Sequence, residues 1–515
     1  MENYREETLD PSDWGALQNL SHRLVDDAIA YVSTVRERPV WQPMPEDAVA
    51  CFQDPMPQEP TPLPEVCDRL LEKMFPYPMG NIHPRFWMWY LGASNVTGAL
   101  GDFLAAILGS NLGGGNHAGA LIDQQVVDWC KEIVGYPKES SGTLVSGGSM
   151  ANIIGLTVAR NEMADADVRA EGVRAMSGPL RFYASDQVHA CHQSAVESLG
   201  LGNAALRTIP TDSSCQLDLN ALAAAVAEDR AQGWKPACVI ATAGTVNTGA
   251  IDDLLAVAVF CAREGIWFHV DGCVGALLAL APRSKHLIAG LSLADSIALD
   301  PHKWLHAPFE VGCALVRDRA AHRNAFSQQP EYLRATERGV AAAPWLNDYG
   351  VQTTRGFRAL KVWMALQEHG SEKFGRLIDQ NIAQAAYLRD RMKAHFRLEL
   401  LFESDVNIVC FRYRIEGLDA EESKAMNIEI MLRLQEEGSA AVSDTTVHGE
   451  HCLRVAICNH RTKMADMDFL VEEVLRLGKA ISTELGKGGQ AGSRCLQARL
   501  PQGFTGLGQG CASRA

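Results

Sequence analysis

No Cys-x-x-Cys pair occurs among the 14 cysteines, which are scattered from Cys51 to Cys511. That absence removes the usual zinc-ribbon and dithiol patterns, and the thiols are expected to be buried and reduced. No apolar run reaches the roughly 18 residues that a membrane-spanning helix needs, so none is expected. Residues 1–30 lack a basic start, an apolar stretch and a small-residue cleavage site. No secretion signal is therefore expected, and cytoplasmic residence is the default. Positive charge is also short: 47 Lys and Arg against 62 Asp and Glu leave a formal net charge of -15. This balance argues against nucleic acid or an anionic membrane as the main partner. No internal repeat marks a solenoid.

What is present is a chain of 515 residues, 47% hydrophobic, able to bury a large core in more than one domain. A helical pattern over 17–36 leads into a proline-rich stretch over 43–64, so residues 1–79 read as an arm laid over another surface. Short apolar runs then alternate with helical stretches, the pattern of an α/β domain with a mainly parallel sheet. Strands are expected over 143–146, 181–185, 204–209, 237–242, 266–270, 296–299 and 312–316. Helices are expected over 150–160, 190–199, 219–232, 254–264 and 357–369. From about residue 378 the elements become smaller and run helix, strand, helix, strand, helix. The expected division is an arm over 1–79, a large domain over 80–377, a small α+β domain over 378–485 and a disordered tail over 486–515.

Lys303 follows a short strand in Asp300-Pro301-His302-Lys303-Trp304, and ligands of open parallel sheets sit at such strand ends. Asp271 closes the apolar strand Trp267-Phe268-His269-Val270-Asp271 at the same expected edge. Alone, the lysine is an ordinary solvated side chain and the aspartate a cap or half of an ion pair. Together they fit the pair required by pyridoxal 5'-phosphate (PLP): an amine for the Schiff base, and a carboxylate that keeps the ring nitrogen protonated.

Ser146-Gly147-Gly148-Ser149-Met150-Ala151-Asn152 follows a strand and starts a helix, which suits a phosphate, with Gly148 and Ser149 as its nearest residues. Thr245, Ser296, Asp300 and His302 are further polar groups expected at this edge. His189 ends Ser185-Asp186-Gln187-Val188-His189, where an imidazole can lie flat on the cofactor ring. His189, Cys191 and His192 form the one cluster with metal-ligand chemistry, but no second ligand pair accompanies it and no metal is expected.

These motifs, in this order, resemble the group II pyridoxal-dependent decarboxylases, the aromatic-amino-acid decarboxylase family. The resemblance spans about residues 15–485 and also rests on His83-Pro84-Arg85-Phe86, Gly244-Thr245 and Arg355-Gly356-Phe357-Arg358-Ala359-Leu360-Lys361. It implies a fold-type-I, aminotransferase-like large domain and a homodimer with active sites at the subunit interface. It implies further that Lys303 is the Schiff-base lysine, Asp271 the ring-nitrogen partner and His189 the stacking residue. Three departures stand out: Val246 where a second threonine is common, Ala120-Leu121-Ile122-Asp123 where an acidic run is common, and Leu346 in the register of a loop tyrosine. Tyr349 lies nearby, and Tyr332 sits in the separate element Glu331-Tyr332-Leu333.

The implied reaction is decarboxylation of an L-amino acid, in which the Cα–carboxylate bond stands perpendicular to the cofactor plane. His189, His302 or a loop tyrosine would return the proton. Lys303, His189 and His302 are thus the expected catalytic residues. The aromatic run Phe86, Trp87, Trp89 and Tyr90, with Phe309, suggests an aromatic or apolar side chain, Trp89, Tyr90 and Phe309 forming the pocket. Arg85 and Arg358 leave an acidic substrate open. Alternative outcomes are oxidative deamination to an aldehyde, transamination, or a non-catalytic scaffold of the same fold.

Overall fold

Seven strands rich in small and apolar residues build the first sheet of the protein, a computed structural model that describes residues 7–328 and 336–499, with side chains to residue 484. The strands are β1 (Ser141–Val145), β2 (Leu180–Ser185), β3 (Leu206–Ile209), β4 (Lys235–Thr242), β5 (Trp267–Asp271), β6 (Ser296–Leu299) and β7 (Gly312–Val316). Their order is β1-β7-β6-β5-β4-β2-β3. All neighbours pair in parallel except β7, which is antiparallel to both β1 and β6. Helices cover the sheet, so β4 and β5 are buried on both faces and read as continuous apolar runs.

The register aligns Thr242 with Asp271 and Asp271 with Ala298. The turns after β4, β5 and β6 therefore open on one edge, the carboxyl edge where such sheets bind ligands. Helix Gly148–Met163 packs across that sheet closely enough that a Cβ at Gly155 would meet His269 Cε1 at 2.7 Å. Helix Leu254–Glu264 shows the local logic of the connections: Asp253 caps its start by accepting from the Ala256 N–H, and Gly265 ends it at φ 67°.

A second, antiparallel sheet has the order β10-β11-β9-β8. Its strands are β8 (Leu398–Phe402), β9 (Ile408–Tyr413), β10 (Ser443–Val447) and β11 (Glu450–Ala456). Helices Ala420–Glu436 and Met464–Arg499 pack on it. The expected small domain carried two strands; the structure has four, because each expected strand is one arm of an antiparallel pair.

The division at residue 378 falls inside one helix, Ser371–Lys393, whose Phe374 and Ile378 join the large core while Ala385, Leu388 and Met392 join the small one. The stretch expected to lack order from residue 486 continues the last helix to Arg499, where Lys487, Gln490, Ala491, Leu496 and Gln497 favour helix despite the glycines. Residues 500–515 lie outside the described residues. The N-terminal helix spans Trp14–Ser33 and buries none of its residues.

Candidate active site

A cavity of ≈ 420 Å³ opens at the carboxyl edge of the large sheet. Ser146 follows β1, Gly244 and Val246 follow β4, Asp271 ends β5 and Cys273 follows it, and Asp300, His302 and Lys303 follow β6; all line it. The sheet register thus brings together residues far apart in the chain.

Lys303 sits in the one-turn helix Pro301–Trp304. Trp304 is fully buried and donates from Nε1 to Asn381 Oδ1 at 3.3 Å, which anchors the turn. The Lys303 Nζ lies 3.1 Å from Asp300 Oδ2 and 5.7 Å from the Tyr90 ring centroid. Burial works against its charge, but Asp300, Cys273 and Asp271 together outweigh it and raise the amine above its ordinary pKa. These neighbours favour the protonated amine.

Asp271 is buried, with Oδ2 accepting from His192 Nε2 at 2.9 Å and Oδ1 from the Cys273 backbone N–H at 3.1 Å. Burial opposes its charge, but the His192 imidazole overcomes that and holds the carboxyl below its usual range. Behind it runs a directed chain of hydrogen bonds. Trp267 Nε1 donates to Ser296 Oγ at 2.9 Å, and Ser296 meets His269 Nδ1 at 2.8 Å. His269 Nε2 meets Asn152 Oδ1 at 2.8 Å, and the Asn152 amide points at Cys191 and Cys273. Burial pushes His269 down to about 3, so it is neutral and its proton stays on Nε2.

The two histidines on the cavity wall hold protons differently. His302 donates from Nδ1 to the Val311 carbonyl at 2.8 Å, and burial lowers its pKa, so its Nε2 carries the lone pair. His189 accepts the Cys191 N–H on Nδ1 at 3.1 Å, and contact with Cys191 raises its pKa, so its proton is on Nε2. Of the pair, His189 is the one that carries its proton on Nε2.

Of the residues singled out from the sequence, Lys303, Asp271, His189, Gly148, Ser149, Asp300, His302 and Tyr90 line the cavity. Four do not. Ser296 stands at the opposite end of β6, spent on His269 and Trp267. Thr245 is fully buried against Thr248, hydroxyl to hydroxyl at 2.9 Å. Trp89 is half exposed and packs on Phe86 at 6.3 Å. Phe309 leans on His302 at 4.7 Å from outside the cavity. Phe86 and Trp87 are core residues. Arg85 is bound to Asp466 at 3.0 Å. Leu346 and Tyr349 line a separate cleft with Asp123 and Arg355, and Tyr332 lies outside the described residues.

The cluster weighed for metal changes membership: the groups that converge are Cys191, His192 and Asp271, without His189. Sequence reasoning missed His192 as the partner of Asp271, along with Asn152, Cys273 and Glu310 on the wall. It also missed Arg454, a buried guanidinium bonded to the Trp89 carbonyl at 2.6 Å, whose Nη2 has no partner among the described residues.

The residues present fit PLP. A lysine amine and a buried carboxylate share one cavity, and Ser146, Gly147, Gly148 and Ser149 line it at the start of a 16-residue helix, where first-turn N–H groups lack helical partners. A Cβ at Gly148 would lie 2.4 Å from Cys273 Sγ and 2.8 Å from Asp300 Oδ2, so glycine is required there.

An open α/β sheet with this donor set at its carboxyl edge defines a PLP-dependent enzyme, and the comparisons narrow the class. Residues 45–414 match the family model described as the pyridoxal-dependent decarboxylase conserved domain. An aromatic-L-amino-acid decarboxylase of Bacillus atrophaeus is 30% identical over 475 residues, 90% of this chain and 96% of the relative. An L-2,4-diaminobutyrate decarboxylase of Acinetobacter baumannii is 30% identical over 382 residues, 72% of this chain and 75% of the relative. The crystal structure of Oryza sativa TDC with PLP and tryptamine superposes with a TM-score of 0.84 at 26% identity, covering 92% of this chain and 100% of that one. The chain belongs to the pyridoxal-dependent decarboxylase family and is a PLP-dependent amino-acid carboxy-lyase.

Proposed function

We propose that the protein decarboxylates an L-amino acid with an aromatic or apolar side chain, releasing the amine and carbon dioxide. The observation that carries this reading is the pairing of Lys303 and Asp271 in one cavity whose wall includes Tyr90, Leu91, Met150, Val246 and Val274. Bound PLP would supply the electron sink for breaking the Cα–carboxylate bond. Lys303 would hold the cofactor, Asp271 its ring nitrogen, and the Gly147-Gly148-Ser149 turn its phosphate. His189 would flank the ring and carry the proton at Nε2 that Cα needs, while His302 Nε2 serves as a hydrogen-bond acceptor.

Glu310 also lines the cavity, and this favours a second reading, a cationic side chain such as that of a diamino acid. Arg358 Nη2 lies 3.0 Å from the Glu310 carboxylate and already balances it, so the apolar reading is preferred.

The same proposal includes a cytoplasmic homodimer. Free thiols at the described cysteines suit a reducing compartment. Helix Val96–Leu108 leaves Leu100, Phe103, Leu104, Ile107 and Leu108 exposed, and a second subunit would cover them.

The test is a panel of aromatic, aliphatic, acidic and diamino L-amino acids given to PLP-loaded protein, with carbon dioxide, amine, aldehyde and peroxide recorded together. Amine equal to carbon dioxide from aromatic substrates is expected. Turnover confined to diamino acids would reverse the substrate assignment, and aldehyde with peroxide and ammonia would replace the amine outcome.

A further inference from the structure

The carboxylate assigned to the cofactor ring is not left to itself. His192, second residue of helix Cys191–Ser198, is fully buried and aims Nε2 at Asp271 Oδ2 at 2.9 Å. With the Cys273 N–H on Oδ1, each carboxylate oxygen is fixed by one donor and keeps acceptor capacity for another. The imidazole is held in turn: its ring packs edge-on against His269 at 6.2 Å. Nδ1 has no hydrogen-bond partner among the described residues. The Cys191 sulfur, one His192 nitrogen and one Asp271 oxygen lie within 4.8 Å of one another.

Without His192, a carboxyl buried at 6% exposure keeps only the Cys273 N–H as a donor and its ionised form is disfavoured, and a neutral acid does not hold a protonated ring nitrogen. We propose that His192 is the positioning residue that keeps Asp271 oriented and ionised for the PLP ring nitrogen, an inference that rests on the cofactor site assigned above. The electrostatics agree with the geometry. Burial disfavours the imidazolium, but Asp271 and Cys191 overcome it and push His192 up to about 10. Burial likewise opposes the Cys191 thiolate, yet His189 and His192 bring that thiol down to about 7. Asp271, His192 and Cys191 thus share one charge balance, and altering the imidazole is felt at both ends.

The experiment uses wild-type protein, His192→Leu and His192→Gln. Three readouts are taken: the PLP dissociation constant, the visible absorption band of the bound cofactor, and the rate at which iodoacetamide alkylates Cys191 in the apoprotein at neutral pH. His192→Leu removes the donor and is expected to weaken PLP binding by about tenfold or more and to shift the band. His192→Gln keeps an N–H near the Nε2 position and is expected to restore most of the affinity. Neither variant carries a charge there, so Cys191 alkylation is expected to slow in both. Wild-type affinity and spectrum in His192→Leu would overturn the proposal. If His192→Leu does not fold, His192→Ala takes its place as the variant without a donor: a loss of about tenfold that His192→Gln restores supports the proposal, and wild-type affinity in His192→Ala overturns it. A wild-type protein that binds no PLP would overturn the cofactor assignment and this inference with it.

Discussion

Charges of both signs are buried in two places, and they are finished differently. At the cavity, Lys303 faces Asp300 and His192 backs Asp271; Lys303, Asp300 and Asp271 stand at or just after strand ends, beside open space. In the cleft by β1, Arg355 lies 3.6 Å from Asp123 and donates to the Leu112 and Leu144 carbonyls at 3.1 and 2.9 Å. His322 nearby is closed between Ser141 Oγ at 2.8 Å and the Tyr349 carbonyl at 3.0 Å. The cleft spends its guanidinium on backbone that would otherwise lack partners, whereas the cavity groups are arranged around a space that a ligand can enter. A buried charge is informative about chemistry only when its surroundings leave it something to do.

Substitutions should separate the two places. The largest effect is expected from Lys303→Ala: carbon dioxide release falls by about 10⁴-fold or more and the visible cofactor band is lost, while circular dichroism stays that of the wild type. Retained turnover would remove Lys303 from the mechanism. Arg355→Met should do the reverse. It leaves Asp123, whose carboxyl burial already raises, without its cation. The expected loss is about 3 kcal/mol of stability in urea unfolding, with turnover per folded molecule little changed. Equal loss of activity and stability would dissolve the distinction.

The smallest effect is on the pH dependence of apoprotein stability. Burial pushes His269 and His322 down to about 3, below the roughly 6.5 of an unfolded histidine. The unfolded chain therefore binds more protons between these values, and stability falls as pH drops from about 6.5 toward 3. His192 has the opposite sign. Its pair with Asp271 contributes fully below about 6.5, and that contribution is lost as pH rises through about 10. The acid limb thus draws on both places and the alkaline limb on the cavity. In thermal unfolding across this range, His322→Leu should flatten part of the acid limb and leave the alkaline limb intact; a changed alkaline limb would contradict this division.

The sheet was legible because both its faces are covered, so each strand is an apolar run bounded by turns. Strands over 296–299 and 312–316 and the helix over 254–264 match residue for residue. Lys303, Asp271, Gly148 and Ser149 were legible as strand-end and helix-start residues. Side-chain direction was not. Ser296 and Asp300 flank the same strand, yet they lie at opposite ends of it, and only Asp300 reaches the cavity. Trp89 and Tyr90 are neighbours, but Trp89 adopts φ 51° and turns outward while Tyr90 is buried with Asn407 on its hydroxyl at 2.9 Å. The His192–Asp271 bond joins residues 79 positions apart, a separation at which periodicity carries no information.

The helix Ser371–Lys393 constrains motion. Gly375 presses against the Leu280 carbonyl, where a Cβ would come to 2.0 Å, and near the other end of the helix Met392 is fully buried under the small sheet. A hinge between the two cores would have to break this rod or tear one end from its seat. The small sheet and the large one should therefore travel as a single rigid body, leaving substrate entry and product exit to the turns that surround the strand ends.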